Sequence, residues 1–152
     1  MTTYPEDLDP ELYRHLIESR GGPLTDKMGI EFLELGAQRS VARMPVEGNT
    51  QVIGLLHGGA HVVLGESLGS ISAAIHAGAG RYVVGIEINA SHLRSVRDGH
   101  LTATATPLRV GRTVQVWSIA LTDDEERPIS QARCTLSVLG APGGAHGAVA
   151  GS

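Results

Sequence analysis

The chain has a single cysteine, Cys134, in 152 residues. No intrachain disulfide can form and thiolates cannot assemble a zinc framework, so a reducing, cytoplasmic setting is the simplest expectation. No apolar run reaches the ~18 residues of a membrane span. The start, Met1 to Asp9, is acidic and polar and lacks the basic, then apolar pattern of a secretory signal. A net charge of -4 supplies no overall basic field for nucleic acid. The Gly-x-Ser-x-Gly elbow and the P-loop are also missing, which removes support for serine-hydrolase and nucleotide-hydrolysing chemistry. The histidines His57, His61, His76 and His92 form no His-x-x-x-His pair with a carboxylate third ligand. His57 and His61 have the spacing, but Gly58-Gly59 begins a helix between them, so no metal is expected.

What is present is a globular composition, 41% hydrophobic and 18% charged. That amount of chain suits one core. We expect a single domain over residues 1–139 and a flexible Gly/Ala-rich tail over 140–152. Asp9-Pro10-Glu11 is a helix start, with Asp9 as N-cap and Pro10 at the first helical position, and Gly21-Gly22 is a stop, predicting a helix over Pro10 to Arg20. Ile30 to Leu35 and Arg39 to Pro45 read as a hairpin around Gly36, followed by a loop from Val46 to Gln51.

The run from Gly58 to Ala77 carries Leu64, Leu68, Ile71 and Ile75 on one helical stripe. Its single carboxylate, Glu66, lies nearly opposite, on a face shared with Val62, Gly69, Ser70 and Ala73 rather than with other charges. Small residues there permit close approach of another backbone, and a second protomer is expected to cover that face. His57-Gly58-Gly59 exposes backbone N–H groups at the helix start, where the macrodipole favours developing negative charge. An anion-stabilising corner and a base or nucleophile are what acyl transfer needs. The bland alternatives are an ordinary surface glutamate, turn punctuation for the glycines, and a capping role for His57.

Three alternating segments follow: Tyr82 to Leu93 with Val84, Ile86 and Ile88, Leu101 to Pro107, and Thr113 to Thr122. After a charged turn, Asp123 to Arg127, comes Ile129 to Leu139, with Ala132, Cys134, Leu136 and Val138 on one face. Cys134 is expected in the core. The order predicts an α+β fold: helix, hairpin, long central helix, then an antiparallel meander. One helix cannot cover both faces of such a sheet and an open edge invites pairing, so dimerisation is expected.

With these residues placed, the chain resembles the hotdog-fold acyl-CoA thioesterases of the phenylacetate-pathway type, the group of the Arthrobacter-type 4-hydroxybenzoyl-CoA thioesterase and the enterobactin proofreading thioesterase. The resemblance rests on Gln51, Leu55-Leu56-His57-Gly58-Gly59-Ala60, Glu66-Ser67-Leu68-Gly69-Ser70, Val84 to His92, and Pro107 to Arg112. It implies an antiparallel sheet wrapped around a long central helix, and a homodimer that pairs into a homotetramer. It also implies hydrolysis of an acyl-CoA, with acyl carrier protein as an alternative thioester donor, and no cofactor. In that picture the Gly58 N–H polarises the carbonyl and Glu66 of the facing subunit is nucleophile or general base. Gln51 and His57 hold the carbonyl and thiol side, Ser70 orients water or Glu66, and His92 assists near the acyl group.

Gly59 and Asn89 join the binding set. Arg94, Arg109 and Arg112, grouped at two strand ends with Arg97, suit the phosphates of CoA. The same arginines also read as solvated loop residues, and Asn89 as a residue satisfying a backbone group. Rivals are a hotdog hydratase or dehydratase and a noncatalytic acyl-CoA binding protein on the same fold.

Overall fold

The computed structural model describes residues 2–140. The expected tail, apart from Gly140, lies outside the described residues.

The N-terminal helix starts where the sequence predicts. The Asp9 carboxylate accepts the N–H groups of Glu11 and Leu12 at 3.1 and 3.0 Å, capping α1 (Pro10–Tyr13). The helix then widens into a π-helical segment, Arg14–Glu18, and stops where Arg20, Gly21 and Gly22 adopt φ of 54°, 75° and 95°. A second short helix, α2 (Pro23–Met28), follows with Pro23 at its first position and left-handed Gly29 at its end. This helix is not legible as a separate element in the sequence, where only the Gly–Pro start and Gly stop mark it.

The predicted hairpin forms β1 (Glu31–Glu34) and β2 (Ser40–Pro45). The long helix α3 occupies Gly58–Ala77 as expected, and Leu64, Leu68, Ile71 and Ile75 are all buried. Full burial of a leucine contributes about 1.5–3 kcal/mol, so Leu64 and Leu68 anchor the helix strongly. The remaining strands are β3 (Arg81–His92), β4 (His100–Val110), β5 (Val114–Thr122) and β6 (Pro128–Gly140).

All six strands form one antiparallel sheet in the order β1-β2-β4-β5-β6-β3, with α3 packed on one face. This is the α+β arrangement expected, with one correction. The final four strands are not a simple meander, because β3 pairs with β6 at the far edge and β4 returns to pair with β2. Helix α3 carries the chain across the sheet, so the strand after it lands on the opposite edge from β1.

A second correction concerns β3. Val84, Ile86 and Ile88 do not share a face, because the register shifts between Gly85 and Glu87. Val84 is opposite Ser137 on the outer face, while Ile88 is opposite Cys134 on the helix side. An inserted residue reverses the alternation on either side of itself.

The helix face opposite the leucine stripe also differs from expectation. Gly69 packs on Cys134 and Ile119 of the chain's own sheet, as Gly65 does on Ala132 and Ile88, and Ala73 is fully buried. The small residues therefore seat α3 on its own sheet, leaving Val63, Glu66, Ser67 and Ser70 as the uncovered strip. A buried polar chain sets the helix position: Trp117 Nε1 donates to Gln115 Oε1 at 2.9 Å, and Gln115 Nε2 donates to the Ala73 carbonyl at 3.3 Å. The outer sheet face mixes the at least partly exposed Thr102, Thr104, Ser118, Arg133, Thr135 and Ser137 with the exposed Val84 and Val114, both opposite Ser137.

Candidate active site

The site is built from the start of α3. His57 is the N-cap, and its Nδ1 accepts the Gly59 N–H at 2.9 Å. Capping consumes the Gly59 amide, so Gly59, expected among the binding residues, has no N–H to offer substrate. The Ala60 N–H is taken by the His57 carbonyl at 2.9 Å. Among the described residues no hydrogen-bond partner meets the Gly58 N–H. It is an orphan helix-start donor at the positive end of the helix dipole.

Gly58 lies against His92, the last residue of β3. A Cβ at Gly58 would stand 3.0 Å from His92 Nε2, so glycine is what permits the approach. His92 Nδ1 lies 3.4 Å from Ser130 Oγ, on the neighbouring end of β6. Gly58 and His92 border a cavity of about 350 Å³ lined also by Gln51, Leu55, Leu56, His61, Leu93, Arg94, Ser95 and Val96. Gln51, Gly58, His92 and Arg94, predicted separately, are thus brought together.

His61 is the residue that sequence reasoning missed. It is 4% exposed and packs edge-on to His92 with ring centroids 4.6 Å apart. Burial, then the nearby His92 and His57 rings, lower its pKa to about 4, so it is uncharged near neutrality. Its Nδ1 is enclosed with no hydrogen-bond partner among the described residues. The only available signal was its position one turn after His57, which is equally typical of a core histidine.

Glu66 stands elsewhere. It is exposed and, among the described residues, makes no hydrogen bond or ion pair. Its Oε1 lies over the bulged part of β3, 2.8 Å from where a Cβ on Gly85 would be. Glu66, Ser67 and Ser70 line a second cavity, about 570 Å³, whose other walls include Leu16, Leu24, Val63 and Ile71. Ser70 shares this cavity with Glu66 without a hydrogen bond between them. Gly58 and Glu66 sit on one helix, eight residues apart, which is about 12 Å of rise. Within one protomer the amide and the carboxylate face different cavities.

The remaining residues separate. Asn89 lies opposite Arg133 on the outer sheet face and donates to Glu87 Oε1 at 2.7 Å, away from both cavities and satisfying a side chain rather than a backbone group. Arg109 and Arg112 lie at the far end of β4 from Arg94, which follows β3 near where β4 begins. The arginines therefore do not form one cluster within a protomer. Cys134 is core, as expected: burial, with smaller contributions from Glu66 and Glu87, pushes its thiol up to about 12, so it is no nucleophile at neutral pH.

Residues 53–130 match the model of the Thioesterase superfamily. The chain is 41% identical over 120 residues to the proofreading thioesterase EntH of Cronobacter turicensis, covering 78% of this chain and 88% of that protein. It is 40% identical over 119 residues to the 1,4-dihydroxy-2-naphthoyl-CoA hydrolase of Escherichia coli, with coverage of 78% and 88%. The crystal structure of a Haemophilus influenzae thioesterase superposes with a TM-score of 0.81 at 39% identity, covering 86% of this chain and 92% of that one. The sheet, its central helix and these relatives agree that the chain is a hotdog-fold thioester hydrolase belonging to the Thioesterase superfamily.

Proposed function

We propose that the protein hydrolyses an acyl-CoA thioester, with an aryl or short to medium acyl group, in a site completed by two protomers. The observation that carries this reading is the division of the machinery. The free Gly58 N–H lies in one cavity with Gln51, His92 and Arg94, and the unpaired Glu66 lies in another with Ser70. A two-fold related copy supplies each amide with the partner subunit's Glu66. The edge of β3 suits such pairing: Tyr82, Val84 and Ile86 are 40%, 43% and 60% exposed along it. The β1 edge, by contrast, is already met by Thr3, whose N–H and carbonyl bond Leu33 and Leu35 at 2.9 and 2.7 Å. A homotetramer of paired dimers remains the proposed assembly.

In the proposed reaction the thioester carbonyl accepts the Gly58 N–H. The Glu66 carboxylate attacks the carbonyl carbon directly, or takes a proton from the attacking water. Charge builds on the carbonyl oxygen, where the amide and helix dipole stabilise it. The C–S bond then breaks and the leaving thiolate receives a proton; on the direct route a Glu66 acyl anhydride remains, which water hydrolyses to the free acid and the Glu66 carboxylate. We assign Gln51 and His57 to the thiol and carbonyl side, His92 to the acyl side, and Arg94, which lines the cavity with Gly58, to a CoA phosphate. Arg109 and Arg112 would serve the same CoA only from another protomer.

The E. coli relative's name, a hydrolase of an aryl-CoA, supports an aryl acyl group. So do the apolar walls Leu16, Leu24, Val63 and Ile71 beside Glu66. The test is thiol release from benzoyl-, hydroxybenzoyl-, phenylacetyl- and straight-chain acyl-CoA, comparing wild type with Glu66→Ala. Turnover that disappears in the variant while CoA binding persists sustains the reading. Absence of turnover across the panel in the wild type defeats it in favour of a carrier-protein thioester or a noncatalytic binding role.

A further inference from the structure

The cavity at the start of α3 contains a polar group that neither its capping nor its packing explains. His61 is 4% exposed, and among the described residues its Nδ1 is sealed without a hydrogen-bond partner. An unsatisfied buried polar atom lowers stability, so an apolar ring would be better for stability alone. Such a cost retained at a cavity wall points to use rather than to packing.

The ring has two nitrogens with different surroundings. Among the described residues Nδ1 is the enclosed side-chain nitrogen without a partner, whereas Nε2 is neither enclosed in that way nor hydrogen-bonded. A neutral imidazole carries one proton. Orphaned buried N–H groups are rarer than orphaned acceptors, so the proton belongs on Nε2. The residue lines the same cavity as Gly58, Gln51 and His92, and its ring meets His92, whose Nε2 borders Gly58.

We propose that His61 is a further catalytic residue of this half-site, a hydrogen-bond donor from Nε2–H that joins the Gly58 N–H in holding the thioester oxygen. The inference rests on the thioesterase reading of this cavity and adds a donor to it. The charged or titratable groups around His61 are His57, His92 and Arg94, and no carboxylate lines the cavity among the described residues. Within the protomer nothing in the cavity favours an imidazolium, and burial holds its pKa at about 4; the partner subunit's Glu66, which the proposed reaction brings to the Gly58 N–H, acts against that burial but meets the substrate carbonyl rather than the enclosed Nδ1. A neutral donor of this kind stabilises a developing oxyanion without giving up its proton.

The experiment compares wild type, His61→Phe and His61→Gln as full-length chains, with benzoyl-CoA as probe. The ring without nitrogens is expected to lower kcat by about 10²-fold, the scale of losing one oxyanion-hole donor, with KM little changed. Its melting temperature is expected to stay level or rise, since the orphan Nδ1 is gone. Glutamine, which restores a donor, is expected to recover part of the rate. The Phe-to-wild-type rate ratio should stay constant from pH 6 to 9, because a neutral donor does not titrate there.

Wild-type kcat in His61→Phe overturns the proposal. So does an equal loss in both variants accompanied by a lower melting temperature, which would mark a packing role. Nitrogen-15 histidine spectra of the resting wild-type protein give a substrate-free check. An Nε2–H tautomer that stays neutral at pH 6 supports the proposal, and an Nδ1–H tautomer or a cation at that pH overturns it. These spectra stand even if no CoA thioester is turned over, so failure of the thioesterase reading and failure of the His61 assignment are distinguishable.

Discussion

The start of α3 and the turn between β5 and β6 are both rich in polar groups, and the protein treats them in opposite ways. In the turn, Asp123 accepts hydrogen bonds from the Glu125 N–H, the Arg127 N–H and Arg127 Nε at 3.1, 2.9 and 2.7 Å, and pairs with Arg127 Nη2 at 2.7 Å. Burial would raise its pKa, but the hydrogen bonds from Arg127 and Glu125 and the Arg127 charge bring it below the ordinary carboxylate value. Among the described residues, the Gly58 N–H and His61 Nδ1 at the helix start have no hydrogen-bond partners, and two turns on Glu66 has none either. A closed network stabilises a fold and has nothing left for substrate. Open donors and an open carboxylate cost stability and become useful when a ligand arrives.

The sharpest way to break this contrast is Glu66→Ala. Loss of a nucleophile or general base should lower kcat by about 10²- to 10⁴-fold, measured by thiol release. Melting temperature should hardly change, because the side chain is exposed and unpaired. Gly85→Ala should come next: its Cβ would lie 2.8 Å from Glu66 Oε1 and push the carboxylate aside. We expect about a tenfold fall in kcat, with native circular dichroism, since displacing a reacting group by ~1 Å can cost up to 10²-fold.

The third prediction concerns pH. Because the folded pKa of His61 lies near 4 against 6.5 unfolded, its neutral form favours the native state above 6.5. As pH falls from 6.5 towards 4 the unfolded chain binds the proton first, so stability declines, by on the order of 3 kcal/mol over the window. Denaturant melts at pH 7 and 4.5 should show that decline in wild type, and His61→Phe should flatten part of it.

The closed region should respond in the complementary way. Asp123→Asn removes the Asp123 charge from Arg127, whose Nη1 keeps Glu125 Oε2 at 3.2 Å, and should lower the melting temperature by a few degrees while kcat of the folded enzyme stays unchanged. The loss should be largest above the normal carboxylate range. The stability that a depressed Asp123 pKa confers is present there and disappears as pH falls through the folded value. A large fall in kcat for Asp123→Asn, or a large fall in melting temperature for Glu66→Ala, would erase the distinction between the two regions.

Much of this was legible in the chain. The bounds of α3 followed from a His-Gly-Gly start and a four-residue stripe, and the cap at Asp9 followed from Asp-Pro-Glu, because both are local chemistry. Burial of Leu101, Ala103 and Ala105 in β4 followed from alternation, as did that of Ala132, Cys134 and Leu136 in β6. The bulge at Ile86 was not legible, since an extra residue in one strand is defined only by its partner. Asn89 looked like a substrate contact for the same reason: the bulge turns it to the outer face beside Glu87. His61 was passed over because a lone histidine has no signature until its neighbours are known.

The sequence by itself determined the long amphipathic helix, the carboxylate on it, the amide-bearing glycine at its start and the strand patterning, all set by neighbours within a few residues. Tertiary structure alone decided that β3 lies at the far edge and that Gly69 seats the helix on its own sheet. It also decided that Glu66 and Gly58 open into different cavities and that His61 is buried against His92. Those outcomes depend on contacts between segments far apart in the chain, where burial and strand register, not local preference, select the arrangement.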